Sequence, residues 1–192
     1  MVAALEGRAR IIAINDAYLI APFADINYFA DFGWWQWHSE GRPKPALGLS
    51  AVDVALRFRK FRGQKCTIEP TGLSVADPEV FMLHKYGSEG LSPQPNALVT
   101  GLNSGFQSIN LAVLAGARRI LLYGYDMRLP AAGPSHWFGD HPTGRGPDPS
   151  IYASTFKTML PDLARLGVDV VNCTPGSALK AFRMSTLEAE LA

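Results

Sequence analysis

Apolar and polar residues alternate along this chain in blocks that predict strands and helices in turn. Strands are predicted at residues 9–14, 26–30, 65–69, 80–84, 120–123 and 168–172, and most of these segments are short apolar runs. Continuous runs of this length are typical of strands covered on both faces of a sheet. Helical spacing or cap residues mark residues 50–60, 104–116 and 150–166, the last with a kink at Pro161. The order predicts an α/β protein, a Rossmann-like fold with a mostly parallel sheet flanked by helices.

The most complete of these blocks runs from residue 103 to residue 126. Ser104 with Gln107 three residues later is a capping-box pattern, which predicts a helix start. Gly116 predicts the end of that helix, because glycine readily adopts a positive φ. A buried strand follows and ends at Asp126. Since α/β folds bind ligands at the carboxyl ends of strands and at helix starts, we expect ligand contacts from Asn103, Ser104, Gly105 and Asp126.

A helix start also has chemistry of its own. Its free N–H groups and roughly half a positive charge suit a phosphate or a carboxylate. The alternative, that Ser104 only caps a helix, stays open. Asp126 would orient a hydroxyl or hold a metal. Zinc is disfavoured, because His136 and His141 are separated by five positions on a loop and the two cysteines are distant.

Polar residues elsewhere are expected to join this edge of the sheet. The first strand ends at Asn15 and Asp16, which are either turn formers or ligand contacts. Residues 127–150 lack apolar periodicity, and a loop this long is usually a functional lid or disordered. It carries His136, Asp140 and His141. We take His141 as the candidate general base, because imidazole titrates near neutral pH.

Two further clusters allow more than one interpretation. Trp34, Trp35 and Trp37 are expected on a short helix, either packed beneath a loop beside a partner surface or forming an aromatic wall for a ring-shaped substrate. His38 is interpreted as a packed polar residue. Five basic residues between positions 57 and 65 favour a solvated helix face over phosphate contact.

Composition narrows the class of protein. With 192 residues, 47% of them hydrophobic and 18% charged, we expect one globular domain over residues 1–192, with the 127–150 loop over its site. A net charge of +1 predicts no nucleic-acid surface. Two cysteines predict reduced thiols in a cytoplasmic protein, and no segment resembles a membrane span or a signal peptide.

Capping residues predict two short helices near the C-terminal end of the chain. Thr174 with Pro175 at the first helical position predicts a short helix to Phe182. Ser185 with Glu188 predicts a capped final helix.

These residues carry a resemblance to known families. Residues 103–105, 120–126 and 135–141, with Pro175-x-Ser177-x-Leu179-x-x-Phe182, resemble a family of bacterial sialyltransferases. The same skeleton resembles the superfamily of MptE-like hydroxymethylpterin diphosphokinases. Residues 13–18 and 21–25 with the tryptophan cluster are similar to uncharacterised phage and prophage proteins.

The resemblance to the sialyltransferases implies a nucleotide or nucleotide-sugar site and transfer of a sugar to an acceptor hydroxyl. It implies that Asn15 lies against the nucleotide, that Ser104 and Gly105 contact the donor's carboxylate, and that His141 is the base. Arg128 stands where those enzymes use tyrosines to stabilise the departing phosphate, so it would act by charge.

The chain also departs from these families. They open with a strand and a Gly-x-Gly-Pro-Ser loop, which residues 1–8 do not supply, so we expect the first strand and its glycine-rich loop to be missing. An uncovered sheet edge would favour pairing with a second copy of the chain. Two alternative functions follow: an ATP- and Mg²⁺-dependent diphosphokinase with Asp126 near the metal, and a non-catalytic phage interaction protein with a degenerate site.

Overall fold

A computed structural model of the chain describes residues 2–69, 75, 77–130, 133, 137, 139 and 148–192. The strands are β1 Ile12–Ile14, β2 Ile26–Phe29, β3 Gln64–Ile68, β4 Val80–Gly87, β5 Ala97–Val99, β6 Arg119–Leu122, β7 Asp169–Asn172 and β8 Arg183–Met184. The α-helices are α1 Phe32–Glu40, α2 Ala51–Arg59, α3 Ser104–Leu114, α4 Leu160–Leu166 and α5 Leu187–Leu191. Single 3₁₀ turns cover Val2–Leu5, Asn15–Leu19, Pro45–Leu47, Pro149–Tyr152 and Thr155–Met159.

The strands form two sheets, one in the order β1-β2-β3-β4-β5 and one in the order β6-β7-β8. Strands β1 to β4 pair in parallel, and so do β6 to β8. Parallel neighbours require crossover connections, which α1 and α2 supply between β2 and β3, and α4 supplies between β6 and β7. The predicted α/β class, with parallel sheets flanked by helices, is confirmed.

The described residues group into two compact units. The first holds residues 2–85 with Trp137 and Gly139, and the second holds residues 86–130, 133 and 148–192. The core of the first unit is aromatic, built around Tyr18, Phe29, Trp34, Phe58 and Phe61. The core of the second unit is more aliphatic, and its buried residues include Val99, Phe106, Ile109, Leu122, Phe156, Met159, Val170 and Leu179.

Two helices illustrate how local sequence sets the elements. Ser50 caps α2 as predicted: its Oγ accepts from the N–H of Asp53, whose carboxylate accepts in return from the N–H of Ser50. The predicted capping box at Ser104 is wrong. Asn103 is the cap of α3, its Oδ1 accepting from Phe106 N–H at 2.8 Å, and Gln107 instead donates to Thr100 O at 2.7 Å.

The C-terminal predictions need further corrections. Residues 150–166 are two 3₁₀ turns followed by α4, with Pro161 in the first turn of α4 instead of kinking a longer helix. Residues 174–182 form turns that lead into β8, a strand the sequence did not indicate. Thr186, not Ser185, caps α5. The predicted strand pattern also missed β5, which has only three residues.

The helices of the described residues are all too short or too polar to cross a membrane.

Candidate functional site

The start of α3 follows a tightly turned segment of the second unit. Gly101 and Leu102 both have positive φ, at 47° and 63°. A Cβ on Gly101 would lie 2.1 Å from the ring of Phe106, so only glycine fits there. Leu102, which is exposed, then leads into the cap residue Asn103. This turn directs the chain from β5 into α3.

Two backbone N–H groups at this helix start remain uncommitted. The N–H groups of Phe106 and Gln107 are bound by the side chain and the carbonyl of Asn103. Within the described residues, the N–H groups of Ser104 and Gly105 donate to no acceptor. The first turn of a helix carries about half a positive charge, and such N–H groups are suited to an anion.

The position of α3 is fixed by hydrogen bonds of two polar side chains, which the sequence does not indicate. Asn110, completely buried in the middle of α3, accepts through Oδ1 from the N–H groups of Ser92 and Val99, each at 3.0 Å. At the helix start, Tyr125 O–H donates to Gly105 O at 3.1 Å. A Cβ on Gly105 would lie 2.9 Å from the Tyr125 ring, so this glycine permits the close approach.

Asp126 and Arg128 follow β6 and extend from the surface of the second unit. Met127 between them has a φ of 49° and packs against the apolar core, while both of its neighbours are exposed. The Arg128 guanidinium lies over Gly176, with Nη2 3.1 Å from the place a Cβ would occupy. The predicted residues Asn103, Ser104, Gly105, Asp126 and Arg128 thus belong to one unit, with Tyr125 joining the end of β6 to the start of α3.

A buried hydrogen-bond network holds the end of β6 in place. Ser177 Oγ donates to Tyr125 O at 2.5 Å and accepts from Asn172 Nδ2 at 2.9 Å and from Leu179 N–H at 3.0 Å. Tyr125 N–H donates to Thr174 Oγ1 at 2.9 Å, and Ala178 N–H donates to Asp126 O at 2.8 Å. These hydrogen bonds fix the conformation of the backbone that carries the side chains of Asp126 and Arg128.

Asn15 and Asp16 belong to the first unit and have different environments. Asn15 has a φ of 50°, and its Oδ1 is buried without a hydrogen-bond partner among the described residues. Its carbonyl accepts from Asn27 Nδ2 at 3.0 Å. Asp16 is completely buried, with Trp34 Nε1 2.7 Å from Oδ1 and Lys44 Nζ 2.5 Å from Oδ2. The geometry therefore favours a structural role for Asp16 over the predicted cofactor contact.

Asp16, Tyr18, Trp34, His38 and Lys44 form what we call the Asp16 cluster. His38 is completely buried, and its Nε2 lies 2.9 Å from Asp16 Oδ1, although this contact is not aligned as a hydrogen bond. Its Nδ1 is 2.7 Å from Tyr18 Oη, and its ring stacks on Trp34 at 3.9 Å between centroids. His38 is a packed polar residue, as predicted.

The ionisation of the cluster follows from burial and from its contacts. Burial lowers the pKa of His38, and the nearby Asp16 only partly opposes this, so the imidazole is neutral at pH 7. Burial raises the pKa of Tyr18, so its O–H donates to His38 Nδ1. Burial acts to raise the pKa of Asp16, but the contacts with His38 and Lys44 outweigh it and hold the pKa below its usual value. The cluster is therefore a buried Asp16–Lys44 ion pair with neutral neighbours.

The other predicted catalytic residue cannot be placed. His141 lies outside the described residues, as do His136 and Asp140. Among the described residues, no group of three or more His, Cys, Asp or Glu side chains is arranged to hold a metal ion.

Taken together, the element order and the parallel pairing define a Rossmann-like α/β protein. Comparison of the chain with models of protein families, with curated proteins and with solved structures finds no match in any of the three. The resemblance described above accordingly remains a prediction from the sequence.

Proposed function

We propose that the chain binds a nucleotide or nucleotide-sugar, with an anionic group of the ligand at the start of α3. The observation that carries the proposal concerns the N–H groups of Ser104 and Gly105. They donate to no acceptor in the described part of the chain, and Asn110 and Tyr125 hold their helix in position. A rigid first turn binds an anion without first having to be ordered.

Arg128 supplies the second element of the proposed site. It is exposed and follows β6 by six residues, and its guanidinium lies over Gly176, a residue without a side chain. A guanidinium binds phosphate oxygens through two parallel hydrogen bonds, which a lysine cannot do. We assign Arg128 to the phosphate, in keeping with its expected role in stabilising a departing phosphate.

The proposal extends to a glycosyltransferase-like reaction, similar to that of the sialyltransferases. An acceptor hydroxyl would lose its proton to His141 as it attacks the sugar, and the departing phosphate would be stabilised by Arg128 and the start of α3. This step rests on the resemblance, since the structure does not describe His141.

Isothermal titration calorimetry with cytidine, uridine and adenosine nucleotides, with and without Mg²⁺, tests the binding proposal. Arg128→Ala should weaken binding about tenfold or more, the usual effect of removing a charged hydrogen bond. The matched control is Arg165→Ala, because Arg165 is an exposed arginine of the same unit that pairs with Asp162, three residues earlier on the same helix. We expect this control to bind nucleotide like the unmodified chain.

A second variant addresses the helix start directly. Gly105→Ala should weaken binding, because the added Cβ collides with the Tyr125 ring. Gly33→Ala is its control: Gly33 occupies the same second position of α1, where a Cβ would meet Trp37 at an ordinary 3.7 Å. Absence of binding at millimolar nucleotide, or binding insensitive to both Arg128→Ala and Gly105→Ala, would overturn the proposal. Binding of ATP only with Mg²⁺ would favour the diphosphokinase alternative instead.

A further inference from the structure

We propose that a cavity in the first unit binds a small organic anion, an apolar ring or chain that carries a phosphate or carboxylate group. The cavity has a volume of about 140 Å³ and is lined by Tyr18, Pro22, Arg57, Lys60 and Phe61. Arg57 and Lys60 belong to the basic run between residues 57 and 65 of the first unit. The proposed nucleotide site lies in the second unit and includes none of these residues. The two proposals are therefore tested independently.

The side chains that line the cavity include two cations and no anion. Arg57 and Lys60 are exposed at the end of α2 and form no ion pair with the described residues, and none of the lining residues is acidic. Asp53 lies one turn before Arg57 and interacts with its charge, but its carboxylate is hydrogen-bonded to the N–H and the O–H of Ser50 and does not line the cavity. Two cationic side chains over one cavity favour an anionic ligand.

A neighbouring cavity provides an internal comparison. It has a volume of about 370 Å³, shares Phe61 with the first, and is lined by Arg59, Arg62 and Lys65 together with Glu79. There the buried Lys65 Nζ lies 2.6 Å from Glu79 Oε2, so part of the positive charge is already paired within the protein. We therefore assign the anion to the cavity of Arg57 and Lys60, which has no acidic lining residue.

The walls of the cavity require the ligand to have an apolar part. Pro22 and Phe61 have no side-chain donor, and the O–H of Tyr18 is directed to His38. Arg57 and Lys60 are therefore the lining side chains that can donate hydrogen bonds to a ligand. A free phosphate would leave oxygens facing carbon atoms, at a cost in desolvation. A ring or chain that bears one anionic group would pack its apolar part against Tyr18, Pro22 and Phe61 and pair its charge with Arg57 and Lys60.

The apolar wall is rigid before any ligand binds. The Tyr18 ring packs edge-on against Trp34, Phe58 and Phe61 at 5.9–6.1 Å between centroids. Its hydroxyl is fixed by His38. Preformed apolar walls with a few placed polar groups are typical of small-molecule sites.

Calorimetric titration of the full chain with phenyl phosphate and benzoate tests this inference, at concentrations up to about 10 mM because ligands of few atoms bind weakly. Both probes should bind, whereas inorganic phosphate and the neutral benzyl alcohol should each bind about tenfold more weakly or not at all. Equal binding of inorganic phosphate and phenyl phosphate would overturn the apolar part of the inference. Absence of binding by both aromatic anions would overturn all of it.

Variants on one helix locate the site. Arg57→Ala should weaken binding of phenyl phosphate about tenfold or more, whereas Arg59→Ala should not change it, because Arg59 lines the neighbouring cavity. Lys60→Ala should also weaken the binding of phenyl phosphate. Circular dichroism of each variant verifies that it is folded. Binding that survives both Arg57→Ala and Lys60→Ala would contradict the assignment.

Discussion

Replacing Asp16 by asparagine should destabilise the first unit more than any ordinary surface substitution. Asp16 is completely buried, and the Nζ of Lys44, a residue only 8% exposed, lies 2.5 Å from its Oδ2. Asparagine keeps the shape of the side chain but removes the charge, and it turns an amide donor or a weaker acceptor toward Lys44. The substitution therefore removes the carboxylate from a buried ion pair.

The size of the effect follows from the burial of both partners. Breaking a buried ion pair by removing one side costs about 3–5 kcal/mol, a large share of the 5–15 kcal/mol by which domains are usually stable. The double variant Asp16→Asn with Lys44→Met should recover part of this loss, because both charges of the buried pair are then removed. The two substitutions should therefore be strongly non-additive.

Urea unfolding followed by tryptophan fluorescence measures this effect in the first unit, since all four tryptophans of the chain belong to it. Asp31→Asn is the matched control: this aspartate is exposed, caps α1 without a side-chain hydrogen bond, and should change stability by less than about 0.5 kcal/mol. A loss of less than about 1 kcal/mol for Asp16→Asn would refute the reasoning that Asp16 and Lys44 form a coupled buried pair.

Two other predictions concern stability. Burial lowers the pKa of His38 in the folded chain below its ordinary 6.5, so as the pH falls the imidazole is protonated first in the unfolded chain. The free energy of unfolding should therefore be highest above about pH 6.5 and should decrease as the pH falls below that value. His38→Phe should flatten that slope in fluorescence melts between about pH 7.5 and 5, and an unchanged slope would contradict the assignment. In the second unit, Ser177→Ala should cost about 1–3 kcal/mol by leaving the carbonyl of Tyr125 and the N–H of Leu179 unpaired. Hydrogen exchange at the Leu179 amide should accelerate accordingly, while Ser185→Ala, at a partly exposed position, should leave it unchanged.

Elements defined by local signals could be predicted from the sequence. The capping residues Ser50 and Asp53 give α2, and Gly116, with a φ of 88°, ends α3 as expected. The parallel α/β class followed from continuous apolar runs separated by helices. These features depend on residues within about one helical turn of each other, and a sequence displays such patterns directly.

Features that depend on distant contacts could not be predicted. Ser177 was assigned to a helix, but its hydroxyl binds Tyr125, 52 residues earlier, and the segment becomes a turn before β8. Lys44, in a proline-rich loop, showed no sign that it would be buried against Asp16, 28 residues away. Gln107 satisfied a capping pattern, yet its side chain reaches Thr100 instead. In each case tertiary hydrogen bonding outweighed a local preference.

The candidate site was predicted in part. The sequence placed Asn103, Ser104 and Gly105 at a helix start, which the structure confirms with Asn103 as the cap residue. It did not indicate Asn110, whose buried amide anchors the helix, or Tyr125, whose ring fits against Gly105. A buried asparagine and a strand-end tyrosine have no local signature of such roles.

Binding of a nucleotide's anionic group at the start of α3 would change the amide chemical shifts of the residues in its first turn. In a titration with nucleoside diphosphates followed by ¹H–¹⁵N correlation spectra, the amides of Ser104 and Gly105 should shift with a saturable dependence on ligand. The amide of Gly116, at the opposite end of the same helix region, should not shift. Unchanged positions of Ser104 and Gly105 at millimolar nucleotide would contradict the account.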